Sequence, residues 1–128
     1  MIKDKEALRR FSVLCVDDDE AIRNVMRLTL KRRFGEIYLA ENGKEGLELY
    51  MRYDPDMVIT DNLMPVMDGV ALIQKILQIR KEQPIILTKS FVDDERSRDC
   101  KVCANLIKPV DLDKLIETIF HCMGISSK

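Results

Sequence analysis

The stretch VITDNLMPVMDG, residues 58–69, is the most informative part of the sequence for the fold. Its apolar start ends on Asp61, and a proline, an aspartate and a glycine follow soon after. A buried strand that stops on a carboxylate places that carboxylate at the rim of a sheet, where α/β proteins bind their ligands. The stretch therefore predicts a buried strand with Asp61 at its carboxyl end.

Four more apolar runs suit buried strands, and segments with helical spacing separate them. This alternation predicts a parallel sheet with helices on both faces and right-handed crossovers. The segment 91–103 is short, so the fourth helix is expected to be short. The five predicted strands are residues 11–16, 37–40, 57–60, 85–88 and 104–107.

Composition describes an ordinary soluble chain. It has 128 residues, of which 46% are hydrophobic and 34% charged, and one domain accounts for that length. A net charge of −1 gives no reason to expect direct nucleic acid contact. No apolar stretch reaches the roughly 18 residues of a membrane span, and the charged residues 1–10 do not resemble a signal peptide. We therefore expect a cytoplasmic protein without membrane contact.

The chain has four cysteines, which we expect to be reduced thiols in the cytoplasm. Cys100 and Cys103 have C-x-x-C spacing, and His121 and Cys122 could complete a metal site. A single C-x-x-C pair is a weak indication of zinc or redox chemistry, so small buried or surface thiols are the favoured interpretation. The fourth cysteine, Cys15, lies in the first predicted strand.

Charged side chains follow the predicted strands at their carboxyl ends. Asp17 and Asp18 follow the first strand, Asp61 ends the third, and Lys108 follows the fifth. These ends share one edge of a parallel sheet, so the three carboxylates are expected to meet there. Hard oxygen ligands suit Mg²⁺, and Lys108 adds a second positive charge. Such a site fits phosphoryl transfer with one carboxylate as the nucleophile.

The order and separation of these residues resemble the receiver domains of bacterial two-component response regulators. The resemblance implies a doubly wound five-stranded parallel sheet of order 2-1-3-4-5, flanked by five helices. It covers residues 11–122, so that residues 1–10 are an N-terminal extension and 123–128 a tail or truncated linker. The motifs that carry it are VLCVDD at 13–18, DNLMPVMDG at 61–69, PII at 84–86 and KP at 108–109.

The resemblance assigns a role to each matching site residue. Asp61 becomes the phosphoacceptor. Asp18, Asp61 and the backbone carbonyl of Leu63 would hold Mg²⁺, and Asp17 would contribute through a bridging water. Lys108 would contact the phosphoryl group. The domain would assist its own phosphorylation and dephosphorylation without being a conventional enzyme.

The resemblance also implies partners and structural residues. The phosphodonor would be a sensor histidine kinase or a phosphotransfer protein, and an unknown output domain or target protein would read the signal. Phosphorylation would alter the surface of the fourth helix, fifth strand and fifth helix, and a homodimer on activation is compatible with it. Pro65 and Gly69 would shape the loop after Asp61, and the bond before Pro109 is often cis in such domains.

Two positions depart from the family pattern. The family places a threonine or serine at the end of strand four, but ungapped counting from Pro84 puts Lys89 there, between Thr88 and Ser90. We slightly favour Thr88 as the phosphate-contacting residue, with Lys89 as the alternative. At the switch position, where the family favours an aromatic residue, this chain has Asn105.

Two rival functions remain to be weighed. Asp17 and Asp19 mimic the D-x-D motif of haloacid dehalogenase-type phosphatases, but Ala21 stands where a hydroxyl or β-branched residue is expected, and no cap domain is present. In addition, Asp18 or Asp19 can simply cap the first helix. The departures near strand four favour the other rival, a pseudo-receiver that binds partners independently of phosphorylation.

Overall fold

The computed structural model describes residues 6–90, 95–98 and 100–125. Strands and helices alternate throughout these ranges, and none of their helices is long and apolar enough to cross a membrane. The strands are β1 (Ser12–Val16), β2 (Glu36–Ala40), β3 (Met57–Asp61), β4 (Ile85–Lys89) and β5 (Ala104–Ile107). The helices are α1 (Glu20–Leu30), α2 (Gly43–Tyr53), α3 (Gly69–Ile79), α4 (Glu95–Arg98) and α5 (Leu112–Cys122).

The five strands form one parallel sheet of order β2-β1-β3-β4-β5. The predicted doubly wound sheet of order 2-1-3-4-5 is therefore confirmed, and so is the short fourth helix, which has four residues. Strand order reverses between β1 and β3, because β2 lies on one side of β1 and the later strands lie on the other. The crevice between these two strand ends is where such sheets bind ligands.

Strand β3 is central and every one of its residues is buried. Its side chains alternate between two apolar clusters, as successive residues of a strand must. Ile59 belongs to the cluster covered by α1 and α5, which we call the α1–α5 face. Val58 belongs to the cluster covered by α2 and α3, the α2–α3 face. A strand buried on both faces reads as a continuous apolar run, which is why the sequence revealed it.

Side-chain caps fix where the helices begin. Asp19 caps α1 by accepting a hydrogen bond from the Ala21 amide at 2.9 Å. Asp68 caps α3 in the same way, through the Ala71 amide at 2.9 Å. Of the two candidates for the first cap, Asp19 has that role, and Asp18 remains available for other contacts.

The packed unit is wider than the predicted span of residues 11–122. Leu8, from the predicted extension, is fully buried in the cluster of the α1–α5 face. Met123 and Ile125, from the predicted tail, pack against the same cluster. Residues 1–5 and 126–128 lie outside the described ranges.

The prediction of four reduced thiols is wrong for one pair, because Cys103 and Cys122 form a disulfide. Cys103 directly precedes β5 and Cys122 ends α5, and the return of α5 along the sheet brings their Cα atoms to 5.9 Å. Their sequence separation of 19 hides this proximity in the sequence. Cys15 and Cys100 lie outside the disulfide. In the described part of the chain, no cysteine and no histidine belongs to a cluster suited to a metal ion.

Candidate functional site

Three carboxylates meet where β1 and β3 end. Asp61 is the last residue of β3, and Asp17 directly follows β1, whose last residue Val16 lies opposite Thr60. Ligand oxygens of Asp17, Asp18 and Asp61 all lie within 4.8 Å of one another. Asp17 and Asp61 are buried, whereas Asp18 is exposed. The structure thus brings together the three carboxylates that the sequence placed at one sheet edge.

Lys108 joins two of these carboxylates from the far side of the crevice. Its Nζ lies 2.9 Å from Asp17 Oδ2 and 3.2 Å from Asp61 Oδ2. The Lys108 amide donates to the Lys89 carbonyl at 2.9 Å, which extends the sheet pairing to this residue. The following bond to Pro109 is cis, as the family resemblance implies. Lys108 therefore links the carboxyl ends of three strands.

Opposing interactions act on the pKa of the Asp61 carboxylate. Burial raises its pKa above the ordinary value, and the charge of Asp17 raises it further. Lys108 and the Asn62 amide act in the opposite direction, since both stabilise the ionised carboxylate. The Asn62 amide donates to Asp61 Oδ1 at 2.9 Å and so fixes the carboxylate's orientation. Because the pKa is raised on balance, the charged form is less favourable here than in water.

The pKa of Lys108 is also raised, which for a lysine favours the charged form. Burial alone would lower its pKa, but the hydrogen bond to Asp17 and the charges of Asp17 and Asp61 outweigh burial and raise it. Lys108 is therefore cationic at neutral pH, and the two carboxylates hold its charge inside the crevice.

Arg23 is a residue of the site that the sequence did not single out. Its Nη1 donates a 2.7 Å hydrogen bond to the Asp17 carbonyl, while Asp17 Oδ1 accepts from the Asp19 amide at 2.9 Å. These contacts fix both the backbone and the side chain of Asp17. The Asp19 carboxylate caps α1 and does not belong to the carboxylate cluster, so the D-x-D pair of a phosphatase is not formed.

The structure places Thr88 beside Asp61, because these two residues are partners in the β3–β4 register. Thr88 follows Ile86 on the α1–α5 face, the face that also holds Ile59 and therefore Asp61. Lys89, one residue on, projects to the other face. Its Nζ lies 3.2 Å from Ser97 Oγ of α4.

Asn105 occupies the switch position in β5 and is exposed. Its register partner is Leu87, and both side chains project from the sheet face opposite Thr88. An asparagine has far less apolar surface than an aromatic residue to move between a pocket and solvent, so this position cannot act as the family's aromatic does.

The loop after Asp61 is held close to the strand by Gly69. A Cβ at this position would collide with the Asp61 carbonyl oxygen, and the Gly69 amide donates to the Asn62 carbonyl at 2.7 Å. Within the loop, Val66 has a φ of 72°, a strained conformation for a β-branched residue. Leu63 and Pro65 are exposed at the mouth of the crevice.

Comparison with known proteins agrees with this geometry. A family model described as response regulator receiver domain matches residues 13–120. Chemotaxis protein CheY of Halobacterium salinarum is 38% identical over 86 residues, which are 67% of this chain and 72% of that protein. A CheY-like receiver domain structure from Methanospirillum hungatei JF-1 has a TM-score of 0.83 at 26% identity, covering 91% of this chain and 94% of that one.

Some relatives are much longer than this chain. Regulatory protein AtoC of Escherichia coli is 30% identical over 118 residues, which are 90% of this chain but only 26% of AtoC. The similarity is therefore to the receiver part. The chain belongs to the family of response regulator receiver domains, the phosphoacceptor modules of two-component signalling.

The raised pKa of Asp61 predicts that Asp61→Asn stabilises the Mg²⁺-free protein. At neutral pH the free energy of unfolding should rise, because the substitution removes a buried charge that repels Asp17. The gain should disappear as the pH falls below 3.8, where Asp61 is protonated in both the folded and the unfolded state. Urea unfolding at a series of pH values measures both effects.

The exposed Glu48→Gln on α2 is the matched control and should show no such gain. A loss of stability in Asp61→Asn at neutral pH would contradict the electrostatic account, since it would mean that Lys108 outweighs burial and Asp17.

Proposed function

We propose that Asp61 accepts a phosphoryl group from a phosphohistidine of a sensor histidine kinase or a phosphotransfer protein in the cytoplasm. The observation that carries this proposal is the position of Lys108. Its ammonium lies 3.2 Å from Asp61 and 2.9 Å from Asp17, where it can neutralise charge arriving on Asp61. A pseudo-receiver would gain no function from a half-buried cation placed where negative charge arrives on Asp61.

In the proposed transfer, an Asp61 carboxylate oxygen attacks phosphorus while the bond from phosphorus to the histidine nitrogen breaks. The imidazole leaves with that electron pair and takes up a proton. Asp61 is oriented for attack by the Asn62 amide. Lys108 then shifts from the carboxylates to the phosphoryl oxygens, where its charge stabilises the transition state and the product.

The three carboxylates also fit a Mg²⁺ ion. Asp18 is exposed, so one side of the cluster stays open to the waters that Mg²⁺ retains. We assign Asp18, Asp61 and the Leu63 carbonyl as direct ligands and Asp17 as a ligand through water. When bound, the ion neutralises phosphoryl oxygens as they approach Asp61.

Signal output is proposed to use the surface of α4, β5 and α5. On β5 the side chains of Asn105 and Ile107 are exposed, with half of the Ile107 surface open to solvent. A target protein, an output domain or a second activated copy could contact this surface, while nucleic acid contact by the domain itself is not part of the proposal.

Acetyl phosphate with Mg²⁺ should add one phosphoryl group to the protein, and intact mass should show the addition. Hydroxylamine should remove it, since acyl phosphates react with this nucleophile. Asp61→Asn should gain nothing, whereas Asp68→Asn, a helix cap away from the carboxylate cluster, should behave like the wild type. A labile phosphoryl group on Asp61→Asn would refute the assignment, and no adduct on the wild type would favour the pseudo-receiver.

Asp18 and Asp19 should differ sharply in Mg²⁺ binding. Asp18→Asn removes a ligand and should weaken binding by at least about tenfold. Asp19→Asn keeps the helix cap, since asparagine caps as well as aspartate does, and should change affinity little. Chemical shift changes during Mg²⁺ titration measure both affinities, and the absence of tryptophan makes NMR preferable to fluorescence. Equal losses in the two variants would contradict the assigned ligands.

Thr88, not Lys89, should contact the phosphoryl group. Thr88 adjoins Asp61 and borders, with Lys108, a cavity of about 270 Å³, so both side chains have room to move. Thr88→Ala should therefore reduce the spectral changes that a phosphoryl mimic induces beyond the site. Lys89→Met retains most of the apolar stem and should leave them in place. If the spectral changes persist in Thr88→Ala and are lost in Lys89→Met, Lys89 is the residue that contacts the phosphoryl group.

A further inference from the structure

The Cys103–Cys122 disulfide encloses the lysine of the site. The bond joins the residue before β5 to the last residue of α5, across 19 positions of sequence. Lys108, which bridges Asp17 and Asp61, lies within this closed loop. The bond therefore ties α5, part of the proposed output surface, to the strand from which Lys108 extends.

The two cysteines differ in exposure. Cys103 is exposed, whereas Cys122 is half-buried against the cluster of the α1–α5 face. An attacking thiol can therefore reach Cys103 in the folded protein. Cys15 provides an internal contrast, because its full burial, aided by the charge of Asp17, raises its pKa to about 12. A thiol of that kind has almost no reactive thiolate at neutral pH.

We propose that Cys103 and Cys122 form a reversible redox site, reduced by a cellular dithiol, that controls how far α5 responds to phosphorylation. In the proposed cytoplasmic setting, thiol pools reduce accessible disulfides, so disulfides found there are mostly transient or regulatory. The redox step rests on the structure of the cysteine pair and on the proposed cytoplasmic location, and it does not depend on phosphorylation of Asp61. Its effect on the phosphorylation response rests on the proposed function.

Reduction of the Cys103–Cys122 bond is a two-electron thiol–disulfide exchange. A thiolate of the dithiol attacks Cys103 Sγ, the Cys103–Cys122 bond breaks, and Cys122 leaves as a thiolate that takes up a proton. The second thiol of the reductant then attacks the mixed disulfide and releases Cys103. The dithiol ends as a disulfide, and a low-molecular-weight disulfide such as oxidised glutathione reverses the reaction.

The bond also restrains the fold in a measurable way. A cross-link that closes a loop of this length limits the unfolded chain, so the oxidised protein should melt about 10 °C above the reduced protein. Reduced α5 would stay on the sheet through its buried residues Leu115, Ile119 and Phe120. Its last turn, however, would no longer be fixed to the start of β5.

The first experiment counts thiols in the folded full chain. Dithiothreitol without denaturant should make Cys103 and Cys122 available to alkylation, and oxidised glutathione should close them again, as intact mass and peptide mapping report. Cys15 should react only after unfolding. Cys100→Ser should leave this cycle intact, and Cys103→Ser should abolish it. A bond that resists dithiothreitol until the chain is unfolded, or that never forms, would overturn the redox site.

The second experiment compares both redox states with beryllofluoride and Mg²⁺ by amide hydrogen exchange. In the reduced protein, the mimic should change exchange in α5 by at least about threefold, whereas in the oxidised protein the changes should stay near Asp61. Equal α5 responses in both states would overturn the control of α5. If beryllofluoride changes hydrogen exchange in neither redox state, both the proposed function and the control of α5 are wrong. The alkylation experiment would still decide whether the cysteine pair is a redox site.

Discussion

The contact of Lys108 with Asp17 and Asp61 is the interaction on which the site depends. Without the lysine, two buried carboxylates would repel each other at adjacent strand ends. Buried ion pairs add little net stability, yet removing this shared cation would typically cost about 3–5 kcal/mol, because both carboxylates would stay buried without it. The arrangement is therefore poorly explained as a means of stabilising the fold. It is well suited to holding charges that a phosphoryl group can rearrange.

The scaffold brings these charges together by simple means. A parallel sheet places all strand carboxyl ends at one edge, and the reversal of order beside β3 opens the crevice there. Gly69 lets α3 start against the Asp61 backbone, and Asp19 starts α1 close to Asp17. Each of these local contacts brings a helix or a loop close to the crevice and leaves the crevice itself open.

The sequence predicted the strands and the meeting of three carboxylates, because apolar runs and strand ends are local signals that the sheet geometry converts into position, whereas the strand order was implied by the family resemblance alone. It did not decide between Thr88 and Lys89, since the register that pairs Thr88 with Asp61 depends on the neighbouring strand and cannot be counted along the chain. The disulfide was not predicted for a related reason, because its two cysteines meet only after α5 has returned along the sheet.

A crystal structure of the protein with Mg²⁺ and beryllofluoride tests the central claim most directly, because it shows where the Lys108 ammonium goes. We expect beryllium bonded to an Asp61 oxygen, with Lys108 Nζ moved from Asp17 Oδ2 to hydrogen-bond a fluoride. An unmodified Asp61, or a Lys108 that stays on Asp17 without touching the fluoride, would contradict it.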